Sequence, residues 1–182
     1  HGEPSEENAH PHLAGDNVAL VHNGIIENHA KLREELLSGG YDFKSQTDSE
    51  IVAALVSRSL EASLSIFDAV SQNVKRLKGA YAFCVFSRKE EEKIIVARQG
   101  SPVVIGLGIG ENFVASDVFA LLPVTQRFVF LNDGDIAIVT KEDVQIYDAE
   151  GRNVIRKERI SESTAETPGK CGFRHFMQKE IF

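Results

Sequence analysis

Val18-Ala-Leu-Val-His-Asn-Gly-Ile-Ile-Glu-Asn28 is the stretch that decides how this chain is read. Residues 18–22 form a short apolar run broken only by His22, the length and composition of a buried strand. Asn28 then stands where a helix cap belongs, ahead of 29–37, in which Leu32, Leu36 and Leu37 recur at helical spacing until Gly39-Gly40 ends the period. A strand therefore leads into a helix, with His22-Asn23-Gly24 at the junction. On spacing alone Asn23-Gly24 reads first as a tight turn, because both residues tolerate positive φ. The pair also admits a second reading. A side-chain amide on Asn23 and a backbone N–H on Gly24, with no Cβ in the way, are two donors able to converge on one developing oxyanion.

Outward from this unit, Asp48 in Thr47-Asp48-Ser49-Glu50 is placed to cap a second helix carrying Ile51, Val52, Leu55, Val56 and Leu60. Its carboxylate has an alternative use, pairing with a substrate ammonium at a pocket edge. A third helical period runs through Ile66, Phe67, Val70, Val74 and Leu77 to Gly79. From residue 80 the pattern changes to short β-rich runs at 80–86, 93–97, 103–107, 112–115, 128–131, 135–139 and 144–147, separated by turns such as Asn132-Asp-Gly134. Helices clustered before a mostly antiparallel set of strands predict an α+β layered domain, with 103–105 buried on both faces. Residues 1–16 read as a loop. Residues 156–174 turn charged and read as a linker, and 173–182 regain apolar residues; the domain is drawn as 1–160, with 161–182 leading out of it.

Composition removes several classes of function. The 182 residues are 42% hydrophobic and 26% charged, which suits a single globular domain, and no apolar run is long enough to cross a bilayer. A net charge of −7 without a basic stripe argues against a nucleic-acid partner. Two cysteines, Cys84 in an apolar run and Cys171 in a polar tail, make a disulfide framework improbable and favour a cytoplasmic setting. His10-Pro-His12 with His22 lacks a further ligand at zinc-like spacing, so no metal is expected. Gly106-Leu-Gly-Ile-Gly110 is followed by a strand-like segment rather than a helix, so it reads as hairpin glycine rather than a dinucleotide loop. Gly100-Ser101-Pro102 lacks the pattern of a nucleophile elbow, leaving Ser101 a turn residue.

Taken in order, His1-Gly-Glu-Pro-Ser5, Asn8-Ala-His-Pro-His12, Val21-His-Asn-Gly-Ile-Ile-Glu-Asn28, Thr47-Asp48, Gly79-Ala-Tyr81, Ser101-Pro-Val-Val-Ile-Gly-Leu-Gly108, Ala120-Leu-Leu-Pro-Val-Thr125 and His175-Phe-Met-Gln-Lys-Glu-Ile181 cover nearly the whole chain. They resemble the N-terminal glutaminase domain of the glutamine–fructose-6-phosphate aminotransferases, the glucosamine-6-phosphate synthases. The resemblance implies an N-terminal-nucleophile hydrolase fold, an αββα sandwich of the class II glutamine amidotransferase type, here lacking its N-terminal segment. It implies L-glutamine as ligand, a cysteine glutamyl-thioester in the intact enzyme, no cofactor, and homo-oligomerisation. It also implies a sugar isomerase domain beyond 161–182 that binds fructose 6-phosphate and receives the ammonia. Carried over by motif, Asn23 and Gly24 form the oxyanion hole, Asp48 binds the glutamine α-amino group, His1 lies at the pocket edge and His10 supports it.

The family's nucleophilic cysteine and the arginine-containing motif ahead of its His-Gly-Glu-Pro run have no counterpart here. Neither Cys84 nor Cys171 can use its own α-amine as base, so the 182 residues alone are expected to be inactive. Two other readings stand beside this one: a non-catalytic glutamine- or glutamate-binding or interaction module, and the glutaminase domain of another class II amidotransferase.

Overall fold

The computed structural model describes residues 2–161. Strand β1 (His12–Ala14) pairs with β2 (Val18–Ile26), and three helices follow: α1 (His29–Ser38), α2 (Asp48–Glu61) and α3 (Ile66–Val74). The chain then builds β3 (Gly79–Ser87), β4 (Lys93–Gln99), β5 (Val104–Leu107), β6 (Asn112–Ala115), β7 (Arg127–Phe130), β8 (Ile136–Thr140), β9 (Val144–Tyr147), β10 (Asn153–Val154) and β11 (Glu158–Ile160). These make a seven-stranded sheet in the order β1-β2-β3-β4-β8-β9-β10 and a four-stranded sheet in the order β11-β7-β5-β6. Every strand pairing within the two sheets is antiparallel.

The layers follow from which faces are apolar. Alternate residues of the central strands, Leu20, Ile26, Phe83, Val85 and Ile95, point to one side of the large sheet and pack under Ile51, Val52, Leu55, Val56, Ile66 and Val70 of α2 and α3. The opposite face of that sheet, with Ala82, Val96, Ala137 and Val139, closes on Val103, Ile105, Val129 and Leu131 at the small sheet. Val104 and Phe128 on the outer side of the small sheet lie under Leu121 and Leu122, after a 3-10 turn at Val118–Ala120. Val104 and Ile105 thus bury into different cores, as a strand covered on both faces must.

Several boundaries differ from the sequence-based expectation. Asn23-Gly24 is not a turn: β2 runs on to Ile26, with Asn23 opposite Ala82 and Gly24 opposite Tyr81. Residues 12–14 are a strand rather than loop, with His12 and Ala14 buried and Leu13 exposed. Thr47, not Asp48, caps α2, its hydroxyl accepting the Glu50 N–H, and Asp48 is the first helical residue. Asn28 makes no side-chain cap to α1 because its amide bonds Arg76 O and Lys78 N instead. The charged stretch from 156 begins as structure, since Glu158–Ile160 pairs with β7 and Glu158 holds the Arg127 guanidinium through both oxygens at 2.6 and 3.0 Å. The remainder of the expected linker, 162–182, lies outside the described residues, as does His1.

Candidate active site

The two expected donors sit near the end of β2. Asn23 lines a cleft of about 200 Å³ between the sheets, with Ala82 and Cys84 on one wall and Val103, Val114 and Ser116 on the other. Gly24 has φ +125°, and a Cβ added there would meet Ala80 O at 2.1 Å and Ser101 Oγ at 2.7 Å. Only glycine fits this backbone, so its N–H is presented in a conformation that a side chain would forbid.

Asp48 reaches the same strand from the helical side. Ile26 N–H donates to Asp48 Oδ2 at 2.7 Å, fastening the start of α2 to β2 two residues beyond Gly24. Two residues before Gly24, the buried His22 places Nδ1 2.9 Å from Ser49 Oγ and 4.0 Å from Asp48 Oδ1. His22 and Ile26 therefore grip the α2 N-terminus on either side of Asn23-Gly24. The N-cap role expected of Asp48 belongs to its neighbour, which leaves the carboxylate free to face the strand.

The loop before α2 is held as firmly. Glu50 is buried and accepts N–H bonds from Lys44 at 2.9 Å and Ser45 at 2.6 Å. Thr47 Oγ1 meets Ser45 Oγ at 3.0 Å and His12 Nε2 at 3.1 Å. His10, expected to support the pocket, accepts the His22 backbone N–H on Nε2 at 3.3 Å and stands edge-on to His12. Burial pushes both His12 and His22 below the ordinary histidine value; the Asp48 charge opposes this at His22 but does not outweigh it. Among the described residues no group of three or more His, Cys, Asp or Glu is arranged to hold a metal. His1, expected at the pocket edge, is outside the described residues.

The sequence pointed to Asn23, Gly24, Asp48 and His10 as candidates but not to the groups packed around them: Ser49, Glu50, Thr47 and the Ser101 hydroxyl against Gly24. The spacing Thr47-x-x-Glu50 is a capping-box signal that pointed to the first three. Glu50 here reaches further back than that motif requires, to Lys44 and Ser45.

Cys84 borders the cleft, yet burial in β3 pushes its thiol up to about 12, so it is not a thiolate nucleophile. Cys171 lies outside the described residues. A separate cleft of about 220 Å³ beneath α3, lined by Ser71, Tyr81, Arg98 and Asp135 among others, contains none of the expected site residues.

A helix layer over a large antiparallel sheet, faced by a second antiparallel sheet, is the N-terminal-nucleophile hydrolase architecture of class II amidotransferases. The chain belongs to the Glutamine amidotransferase domain family, whose pattern matches residues 3–123. It is 53% identical over its whole length to the glutamine–fructose-6-phosphate aminotransferase (isomerizing) of Shewanella oneidensis, 55% to that of Vibrio vulnificus and 54% to that of Haemophilus influenzae. It spans about 30% of the length of each. Among solved structures it is similar to the glutamine phosphoribosylpyrophosphate amidotransferase of B. subtilis, with 27% identity, a TM-score of 0.61, and coverage of 88% of this chain and 33% of that one. A second solved structure, described as the allosteric regulatory enzyme of purine biosynthesis, matches at 28% identity with a TM-score of 0.60, covering 87% of this chain and 32% of that one.

Proposed function

We propose that these residues are the glutamine-handling part of an enzyme that makes glucosamine 6-phosphate from fructose 6-phosphate and L-glutamine in the cytoplasm. The observation that carries this reading is the joint fixing of Asn23-Gly24 and Asp48: donors for an oxyanion and a carboxylate for an ammonium are held on one short block of β2 and α2. Glutamine carries both features, an amide carbon that becomes tetrahedral and an α-ammonium. Identity above 50% to aminotransferases of one activity, over the full chain, supports the choice of acceptor.

Asn23 Nδ2–H and Gly24 N–H stabilise the oxyanion formed when a thiolate adds to the side-chain amide, and Asp48 positions the amino-acid end. The thiolate is not Cys84, whose thiol stays protonated near neutrality. The polypeptide of these 182 residues alone is accordingly expected to release ammonia from glutamine at no more than background. Residues 161–182 then lead toward a sugar isomerase domain that takes the ammonia, in an assembly of identical subunits.

Calorimetric titration of the 182-residue chain with L-glutamine tests the site. Saturable binding that Asp48→Asn removes is the expected result; no binding, or binding indifferent to Asp48→Asn, rejects the assignment. For the whole enzyme, the decisive assay is formation of glucosamine 6-phosphate from fructose 6-phosphate and glutamine by the full-length protein, and failure to form it in favour of another aminated product assigns a different acceptor.

A further inference from the structure

The two oxygens of Asp48 are not equivalent. Oδ2 accepts the Ile26 N–H at 2.7 Å, whereas Oδ1 has no hydrogen bond among the described residues and lies 4.0 Å from His22 Nδ1. The imidazole and carboxylate side chains are 1% and 10% exposed, a setting in which an imidazole N–H gains a strong charge-assisted bond by closing on a carboxylate. It has not closed. Ser49 Oγ, on the next residue of α2, already engages Nδ1 at 2.9 Å. The other ring nitrogen, Nε2, is buried without a partner among the described residues, so among them Ser49 is the ring's one polar anchor. The nearby charge of Asp48 favours the tautomer with the proton on Nδ1, which makes His22 the donor in that bond.

The other ionisable groups acting on His22 are already committed. His10 Nε2 takes the His22 backbone N–H, and His12 Nε2 meets Thr47 Oγ1. None of them competes with Ser49 for Nδ1.

We propose that Ser49 is a positioning residue: by holding His22 Nδ1–H, it keeps Asp48 Oδ1 open as the acceptor for the substrate's α-ammonium. This rests on the glutamine reading of the site. Without the hydroxyl, His22 Nδ1–H donates to Oδ1, which occupies one of that oxygen's two acceptor sites and places the ring where the ammonium approaches, so glutamine is held less tightly. The device separates two groups that would otherwise hydrogen-bond to each other, and it does so without touching the ligand.

The test compares L-glutamine with its deamino analogue, 4-carbamoylbutanoate, as calorimetric ligands for the 182-residue chain in four forms: unaltered, Ser49→Ala, Ser49→Thr and Asp48→Asn. Alanine is a good helix former, so Ser49→Ala retains α2, which circular dichroism checks. Ser49→Ala is expected to weaken glutamine about tenfold or more while leaving the analogue unchanged, because only glutamine presents an ammonium to Oδ1. Ser49→Thr, which keeps the hydroxyl, restores glutamine binding. In parallel, the His22 ring-proton NMR titration midpoint rises in Ser49→Ala as the ring closes on the carboxylate. Equal weakening of both ligands, or no weakening of either, overturns the proposal, as does an unmoved His22 midpoint. If the unaltered chain binds glutamine no better than the analogue and Asp48→Asn changes nothing, the Asp48 reading itself has failed, and that outcome is distinct from a failure confined to Ser49.

Discussion

Gly24 shows most directly how one residue ties backbone geometry to chemistry. Its φ of +125° lies where L side chains rarely go, and the position a Cβ would take is 2.1 Å from the Ala80 carbonyl oxygen on the neighbouring strand. The obstruction is backbone, so it cannot be relieved by a rotamer change. Gly24→Ala is expected to destabilise the chain by at least about 1–3 kcal/mol, the usual cost of a strained backbone conformation, with a further clash term. Urea denaturation measures this, and an unchanged midpoint with an unchanged slope would show that the strand does not need glycine here. Asn23 makes a different prediction because it lines the cleft and its side chain has no hydrogen bond among the described residues. In the full-length enzyme Asn23→Ala is expected to lower kcat by roughly 10²–10³, equivalent to about 2.7–4 kcal/mol, with KM and the thermal midpoint little moved. A change carried mainly by KM instead would place Asn23 in ground-state binding.

Among the elements, β2 and α2 show what was legible in the sequence and what was not. The apolar positions of α2, Ile51, Val52, Leu55, Val56 and Leu60, recur at helical spacing and are all buried, because amphipathicity is a local signal. The continuation of β2 through Asn23-Gly24 was not readable. Asn-Gly is turn chemistry at short range, and the competing ladder is supplied by β3, more than fifty residues away. Separations of 35 and 27 residues likewise hid the links from β1 and β2 to α2, His12 to Thr47 and His22 to Ser49. The charged tail misled in another way: Arg156 looks like a solvated linker residue, yet it closes on Asp135 with two bonds, Nε to Oδ2 at 2.8 Å and Nη2 to Oδ1 at 2.6 Å. Asp135 is 1% exposed. Replacing only Arg156, as in Arg156→Met, leaves a buried carboxylate without its counter-charge and should cost about 3 kcal/mol or more by denaturant titration. The double variant Asp135→Asn with Arg156→Met should recover part of that loss. A single-variant cost below about 0.5 kcal/mol would mean that solvent replaces the guanidinium freely.

For the molecule as a whole, the histidines couple the site to folding. His12 and His22 both lie under α2, and burial is the leading cause that lowers each below the ordinary value. The sign follows from proton counting. In the unfolded chain each ring takes a proton near pH 6.5, whereas the folded chain resists protonation until a lower pH. Between those two points the unfolded state binds more protons, so stability falls as pH falls. The contribution is fully present above about pH 7.5, declines as pH passes 6.5, and levels off once the folded midpoints are passed. Exposed pairs act elsewhere on the scale: Arg127 holds Glu158 below the usual carboxylate range, so its stabilising effect fades only in more acidic solution. Thermal midpoints recorded from pH 8 to 5 should therefore drop between about 7 and 5.5, before the carboxylates titrate. His12→Asn should flatten part of this drop, because the remaining partner at Thr47 is a hydroxyl and asparagine bonds it without titrating. The site should open in step with the loss, since the protonating rings are the ones that pin the Thr47 and Ser49 end of α2 to β1 and β2. Exchange of the Ile26 amide, bonded to Asp48 Oδ2, should therefore rise over the same pH window, after correction for intrinsic exchange rates, ahead of exchange in β4 and β8. Uniform acceleration throughout the large sheet would instead mean that acid unfolds the domain globally, with no local release of α2.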